Sequence, residues 1–143
     1  MFRSRLAVLS LLFALAASTA SAHDQAHRVY HEGVEHLRRI VTHCHRAQAQ
    51  IVRECTPEIR RLLRAGKYQE AREVATRCFK RIDETTERCP HAIDQLCRNV
   101  VERLQRLGAD HLARHFRQLC RQAKRKVHQS ADRAKAAIRE LFG

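Results

Sequence analysis

The chain has 143 residues, and 28 Lys or Arg against 15 Asp or Glu give it a formal net charge of +13. This length predicts one domain with a modest hydrophobic core. The sequence has no Gly-rich phosphate loop, no G-x-S-x-G and no H-E-x-x-H motif, and serine is nearly absent after residue 22. We therefore expect no enzymatic activity.

The first 22 residues have the three-part layout of a secretory signal. Two arginines precede an apolar run at 6–17, and Ala20-Ser21-Ala22 fits the small-x-small rule for cleavage. The apolar run is well short of the roughly 20 residues that span a bilayer as a helix. We expect a signal peptide at 1–22, export to the periplasm or the cell exterior, and a mature chain of 23–143 with no transmembrane segment. Cleavage after Ala20 is the alternative.

Six cysteines lie in the predicted mature chain, and an even count in a short exported chain favours disulfides over free thiols. Helical periodicity places each of them on the inward face of its helix. Cysteines eleven residues apart on one helix are about 16 Å apart at 1.5 Å per residue, too far for a disulfide. The symmetry of the cysteines about two glycines then predicts three disulfides: Cys44–Cys89, Cys55–Cys78 and Cys97–Cys120.

The two glycines mark predicted turns between helices. Apolar residues recur at steps of three or four along the chain without strand-like alternation, which indicates an all-α fold. We predict two disulfide-linked antiparallel helical hairpins, 24–89 with its turn at Gly66 and 91–142 with its turn at Gly108. Together they would form a four-helix bundle-like domain.

Three further residues suggest where helices begin or end. Thr56 followed by Pro57 predicts a kink, or a break with Thr56 as the N-cap of a new helix. Pro90 is expected to end the second helix or to begin the third, and Asp110 is expected to cap the last.

An internal repeat is visible at a shift of 42 residues. The segments 61–73 and 103–115 then align with six identities in thirteen, and the cysteine pairs that flank the two glycines fall in register. We interpret this as a duplicated hairpin, with a shared turn chemistry of separate origin as the alternative.

Ten histidines are the most unusual feature of the composition. His23, His27 and His31 are four residues apart, as are His111 and His115, and such pairs on one helix face can chelate a divalent ion. A different set shares one level along the predicted hairpins beside the Cys44–Cys89 disulfide, on the 1.5 Å rise per residue. These candidate ligands for Zn²⁺, Cu²⁺ or Ni²⁺ are His43, His45, His91 and His128.

The positive charge is concentrated in the last predicted helix, where residues 111–143 hold nine Lys or Arg against Asp132 and Glu140. Five of these cations recur at helical spacing outside the apolar seam. Such a surface attracts anionic lipid head groups or acidic polysaccharides, while export and the scarcity of aromatic residues argue against nucleic acid. We call this surface the basic face: Arg114, Arg117, Arg121, Lys124 and Arg125.

The sequence thus predicts an exported, non-enzymatic helical binding or structural protein. Its expected partner is an anionic lipid, an envelope polysaccharide or another protein, engaged through the basic face. Metal binding by the clustered histidines is the alternative, and no other cofactor is expected.

Overall fold

The computed structural model describes residues 2–143, with side chains from Ser21 onward. Three α-helices follow one another, and a short 3-10 helix (Glu140–Phe142) ends the chain. No strand occurs in residues 2–143, so the all-α prediction is confirmed. The helices are α1 (Phe2–Arg64), α2 (Tyr68–Arg106) and α3 (Asp110–Arg139).

The predicted signal peptide lies largely outside the residues whose side chains are described, and its cleavage stays a prediction. α1 continues without a break through the predicted cleavage site.

Within residues 21–143, no helix has both the length and the apolar character needed to cross a membrane.

Each helix packs against the other two. Two disulfides join α1 to α2, as predicted: Cys44–Cys89 with its Cα atoms 6.3 Å apart, and Cys55–Cys78 with its Cα atoms 6.5 Å apart. Both lie within the Cα separation that disulfides require. The ion pairs Lys124–Asp94, at 2.7 Å, and Lys135–Asp83 show that α2 and α3 are also antiparallel, since the residue number rises along α3 as it falls along α2. α1 and α3 therefore run in the same direction.

The two turns between the helices have the same geometry. Gly66 and Gly108 have φ values of 72° and 71°, in the left-handed region that favours glycine. In the first turn the Lys67 amide donates to the Leu62 carbonyl at 2.9 Å, and in the second the Ala109 amide donates to the Leu104 carbonyl at 2.9 Å. These bonds satisfy carbonyls that the helix end would leave unpaired. The turns match at the shift of 42 residues, while common origin stays a hypothesis.

The predicted helix breaks at the prolines are wrong, and the described chain has three helices where four were expected, while a kink at Pro57 stays a prediction. Pro57 lies inside α1 and Pro90 inside α2. The Thr56 hydroxyl donates to the carbonyl of Val52 in its own helix at 2.7 Å, instead of capping a new one. Each proline follows a disulfide cysteine by one or two residues. A disulfide stabilises by about 2–4 kcal/mol, similar to the roughly 3 kcal/mol that an internal proline costs.

Asp110 is also placed differently from the prediction. It is the first residue of α3, and Ala109 occupies the N-cap position without a side-chain hydrogen bond.

A layer of polar side chains divides the core into two apolar clusters. Gln48 of α1 is 1% exposed, and its amide nitrogen donates to the Thr86 hydroxyl of α2 at 3.0 Å and to the Val127 carbonyl of α3 at 3.2 Å. The Ser130 hydroxyl of α3 donates to the Gln48 amide oxygen. We call Gln48, Thr86 and Ser130 the polar layer, which joins all three helices.

The first core cluster lies on the Gly108 side of the polar layer, and the second lies on the Gly66 side. Phe116 is the largest fully buried side chain of the first cluster. Its ring packs against Gly33, where an added Cβ would lie 3.0 Å from the ring and 3.1 Å from Val100. The glycine in the middle of α1 is therefore explained by this close approach.

Candidate functional site

The four histidines proposed as metal ligands share one level but not one side of the molecule. Cys44 is bonded to Cys89, and Gln48 contacts Ser130, so this level includes His43, His45, His91 and His128. The side chain of His43 lines the groove between α1 and α2. The side chain of His45 lines two grooves between α1 and α3. His91 and His128 are exposed.

The separation of these histidines follows from helix geometry. Consecutive residues are rotated by about 100° around an α-helix, so His43 and His45 point about 160° apart, on nearly opposite sides of α1. Nowhere in the described part of the chain do three or more His, Cys, Asp or Glu side chains form a group that could hold a metal ion. The structure does not bring the proposed ligands together. The Nε2 atom of His45 is buried without a hydrogen-bond partner among the described residues.

Another group of histidines lies near the Gly108 end. The rings of His23 and His27 are 4.5 Å apart between centroids, and those of His27 and His31 are 6.3 Å apart. His115 of α3 instead bonds to Tyr30 of α1, with 2.6 Å between Nδ1 and the phenol oxygen. Burial raises the pKa of Tyr30. His115 therefore links two helices rather than forming a chelating pair with His111.

The basic face is solvent-accessible along α3. Arg114, Arg117, Arg121 and Arg125 are exposed, and Lys124 is partly buried by its ion pair with Asp94. The spacing of the four arginines places them along one side of the helix, as predicted from the sequence pattern.

A groove of about 460 Å³ between α2 and α3 adds to the basic face. Arg117, Arg121 and Lys124 line it from α3, and Arg98 lines it from α2 together with the carboxylates of Asp94 and Glu102. The three arginines of this groove form no ion pair with any described residue. Sequence reasoning missed Arg98, since its position opposite α3 becomes apparent only from the pairing of the helices.

The same groove contains the remaining two cysteines. Cys97 and Cys120 are free thiols in the structure, and they line the groove from α2 and α3. Burial, followed by the neighbouring Cys97 thiol, raises the pKa of the Cys120 thiol. The third predicted disulfide is not formed here and stays a prediction.

A larger groove at the Gly66 end was not predicted from the sequence. Its volume is about 810 Å³, and we call it the end groove. It lies where the end of α1, the first turns of α2 and the final 3-10 helix meet. Apolar and aromatic residues are mixed with arginines in its lining: Leu63, Arg64, Tyr68, Arg72, Ala75, Thr76, Phe79, Arg139, Leu141 and Phe142.

Comparison with protein-family models, curated proteins and solved structures finds nothing that matches this chain.

Proposed function

We propose that this chain is an exported, non-enzymatic helical protein that binds an anionic component of the cell envelope through its basic face. Export is supported by the signal-like N-terminus and by the two disulfides, which persist in oxidising compartments.

The observation that carries the proposal is the set of exposed, unpaired arginines on α3 and the adjoining groove. Arg114, Arg117, Arg121 and Arg125 are exposed, and none of them forms an ion pair with a described residue. Guanidinium groups bind phosphates and carboxylates in bidentate geometry. An extended row of them favours a surface or polymer that presents many anions.

Binding to lipid vesicles tests the proposal. The purified protein is mixed with phosphatidylglycerol vesicles and with neutral phosphatidylcholine vesicles, and sedimentation of the vesicles gives the bound fraction. An acidic polysaccharide serves as competitor, which distinguishes a lipid surface from a glycan. We expect binding to the anionic vesicles or to the glycan, and none to the neutral vesicles.

A matched pair of variants separates the basic face from net charge. Arg114, Arg117 and Arg121 are changed to Gln in one variant, and the exposed Arg46, Arg60 and Arg61 of α1 in the other. Both lose three positive charges. At about 1 kcal/mol for each cation near an anionic surface, the first variant should bind roughly a hundredfold more weakly. Equal weakening in the two variants would show that only net charge matters.

A further inference from the structure

The end groove combines an apolar floor with a cationic rim. Leu63, Phe79, Leu141 and Phe142 are partly buried and pack against the second core cluster, so their outer surfaces form the floor. Tyr68 at the rim is 62% exposed, and it is the one large hydrophobic residue that is exposed among the described side chains.

All the charged side chains that line the end groove are positive. Arg64, Arg72 and Arg139 line the groove, and no Asp or Glu does. None of the three forms an ion pair with a described residue. The guanidinium of Arg139 instead lies over the ring of Phe79, 5.2 Å from its centroid. Cationic donors therefore stand directly beside the apolar floor.

The path of α3 explains why this floor is open. The ion pair of Lys135 with Asp83 continues the antiparallel register of α2 and α3, and α3 ends at Arg139, beside Phe79. The first turns of α2 therefore have no turn of α3 opposite them. The short 3-10 helix adds Leu141 and Phe142 at this level.

We propose that the end groove binds a single-chain anionic amphiphile, such as a fatty acid. The alkyl chain would lie along Phe79 and Phe142, and the carboxylate would accept hydrogen bonds from Arg72 and Arg139. The volume of about 810 Å³ is within the 300–1,000 Å³ typical of small-molecule sites. This site is separate from the basic face and does not rest on the proposed function.

The charge of the groove argues for this occupant over a second copy of the chain. Joining two copies through their end grooves would bring two sets of three arginines together without carboxylates between them. An amphiphile with one anionic head and one apolar chain complements both features of the lining.

Calorimetric titration with laurate, below its micelle concentration, tests the proposal on the purified protein. Dodecyltrimethylammonium has the same alkyl chain with a cationic head and is the matched ligand control. We expect one laurate per chain, and at least tenfold weaker binding of the cationic amphiphile.

Three variants locate the site. Arg72→Gln and Arg139→Gln should each weaken laurate binding about tenfold, the effect of losing one hydrogen bond to a charged group. Thr76→Trp should abolish binding, since Thr76 lines the groove from an exposed position and the indole would fill it. Arg77→Gln, an exposed position on the same helix that does not line the groove, is the matched control and should bind laurate normally.

Several outcomes would overturn the proposal. These are equal binding of the two amphiphiles, equal weakening by Arg72→Gln and Arg77→Gln, and unchanged binding in Thr76→Trp while circular dichroism shows native helicity. A concentration-dependent dimer in sedimentation that Thr76→Trp removes would assign the groove to a second copy instead.

Discussion

Two substitutions in the polar layer should have unequal costs in the free energy of unfolding, although they remove the same hydrogen bond. The Ser130 hydroxyl is the one donor to the Gln48 amide oxygen among the described residues. Ser130→Ala leaves that oxygen buried and unpaired, whereas Gln48→Met removes the amide and keeps a similar side-chain volume.

The remaining hydrogen bonds determine the size of each effect. Without Gln48, the Thr86 hydroxyl still donates to the Ile82 carbonyl at 2.7 Å and the Ser130 hydroxyl to the Val127 carbonyl at 3.0 Å. Gln48→Met therefore leaves neither hydroxyl unpaired and should change the free energy of unfolding by less than about 1 kcal/mol. Ser130→Ala should cost about 1–2 kcal/mol, because the cost of an unpaired buried acceptor exceeds the small gain in helix propensity. In the double variant this cost should disappear.

Guanidinium unfolding with the disulfides intact measures these differences. Far-UV circular dichroism is the suitable signal, because the chain is helical and contains no tryptophan. Gln118→Ala, at an exposed position of α3, is the control and should change stability by less than about 0.5 kcal/mol. If Gln48→Met costs more than Ser130→Ala, the polar layer stabilises the fold by itself and the reasoning is refuted.

Three further predictions concern single sites. Oxidation should join Cys97 to Cys120, as a cross-linked peptide in a non-reducing digest would show, whereas a peptide joining Cys97 to any other cysteine would contradict the pairing. Gly33→Ala should lower the free energy of unfolding by about 1 kcal/mol, because crowding against the buried phenyl ring outweighs the gain in helix propensity; a stabilised variant in guanidinium unfolding would contradict this. Hydrogen bonding from Arg81 lowers the pKa of Glu54, so Arg81→Gln should raise it towards its ordinary value in an NMR titration. The contribution of the Glu54 carboxylate to stability is present above its unfolded pKa and is lost as the pH falls through its folded pKa. If Arg81→Gln left the pKa of Glu54 unchanged, the titration would argue against the hydrogen bond between the two side chains.

The helix pairing could be predicted from the sequence because it depends on spacing along the chain. The rise per residue excludes disulfides within one helix, and the glycines fix the two turns, so Cys44–Cys89 and Cys55–Cys78 followed from counting alone. The predicted helix breaks at the prolines were wrong because the free-energy cost of a proline inside a helix is offset by long-range packing and by disulfides. A local sequence pattern does not include these contributions.

The candidate sites were less predictable, because they depend on the direction in which each side chain points around its helix as well as on its position along the helix axis. His43 and His128 share a level, yet their directions depend on how three helices pack. The end groove needed a further fact, the point where α3 stops relative to Phe79. Gln48 was missed because a lone glutamine in a helix has no pattern that distinguishes a buried from an exposed position.

The division of the core also has a consequence for how the molecule opens. Each apolar cluster contains one disulfide, Cys44–Cys89 on the Gly108 side and Cys55–Cys78 on the Gly66 side. Local unfolding in proteins proceeds in cooperative units that follow such contact boundaries. We therefore expect the two halves to open as separate units, so that the amide protons of one half can exchange with solvent while the other half stays folded.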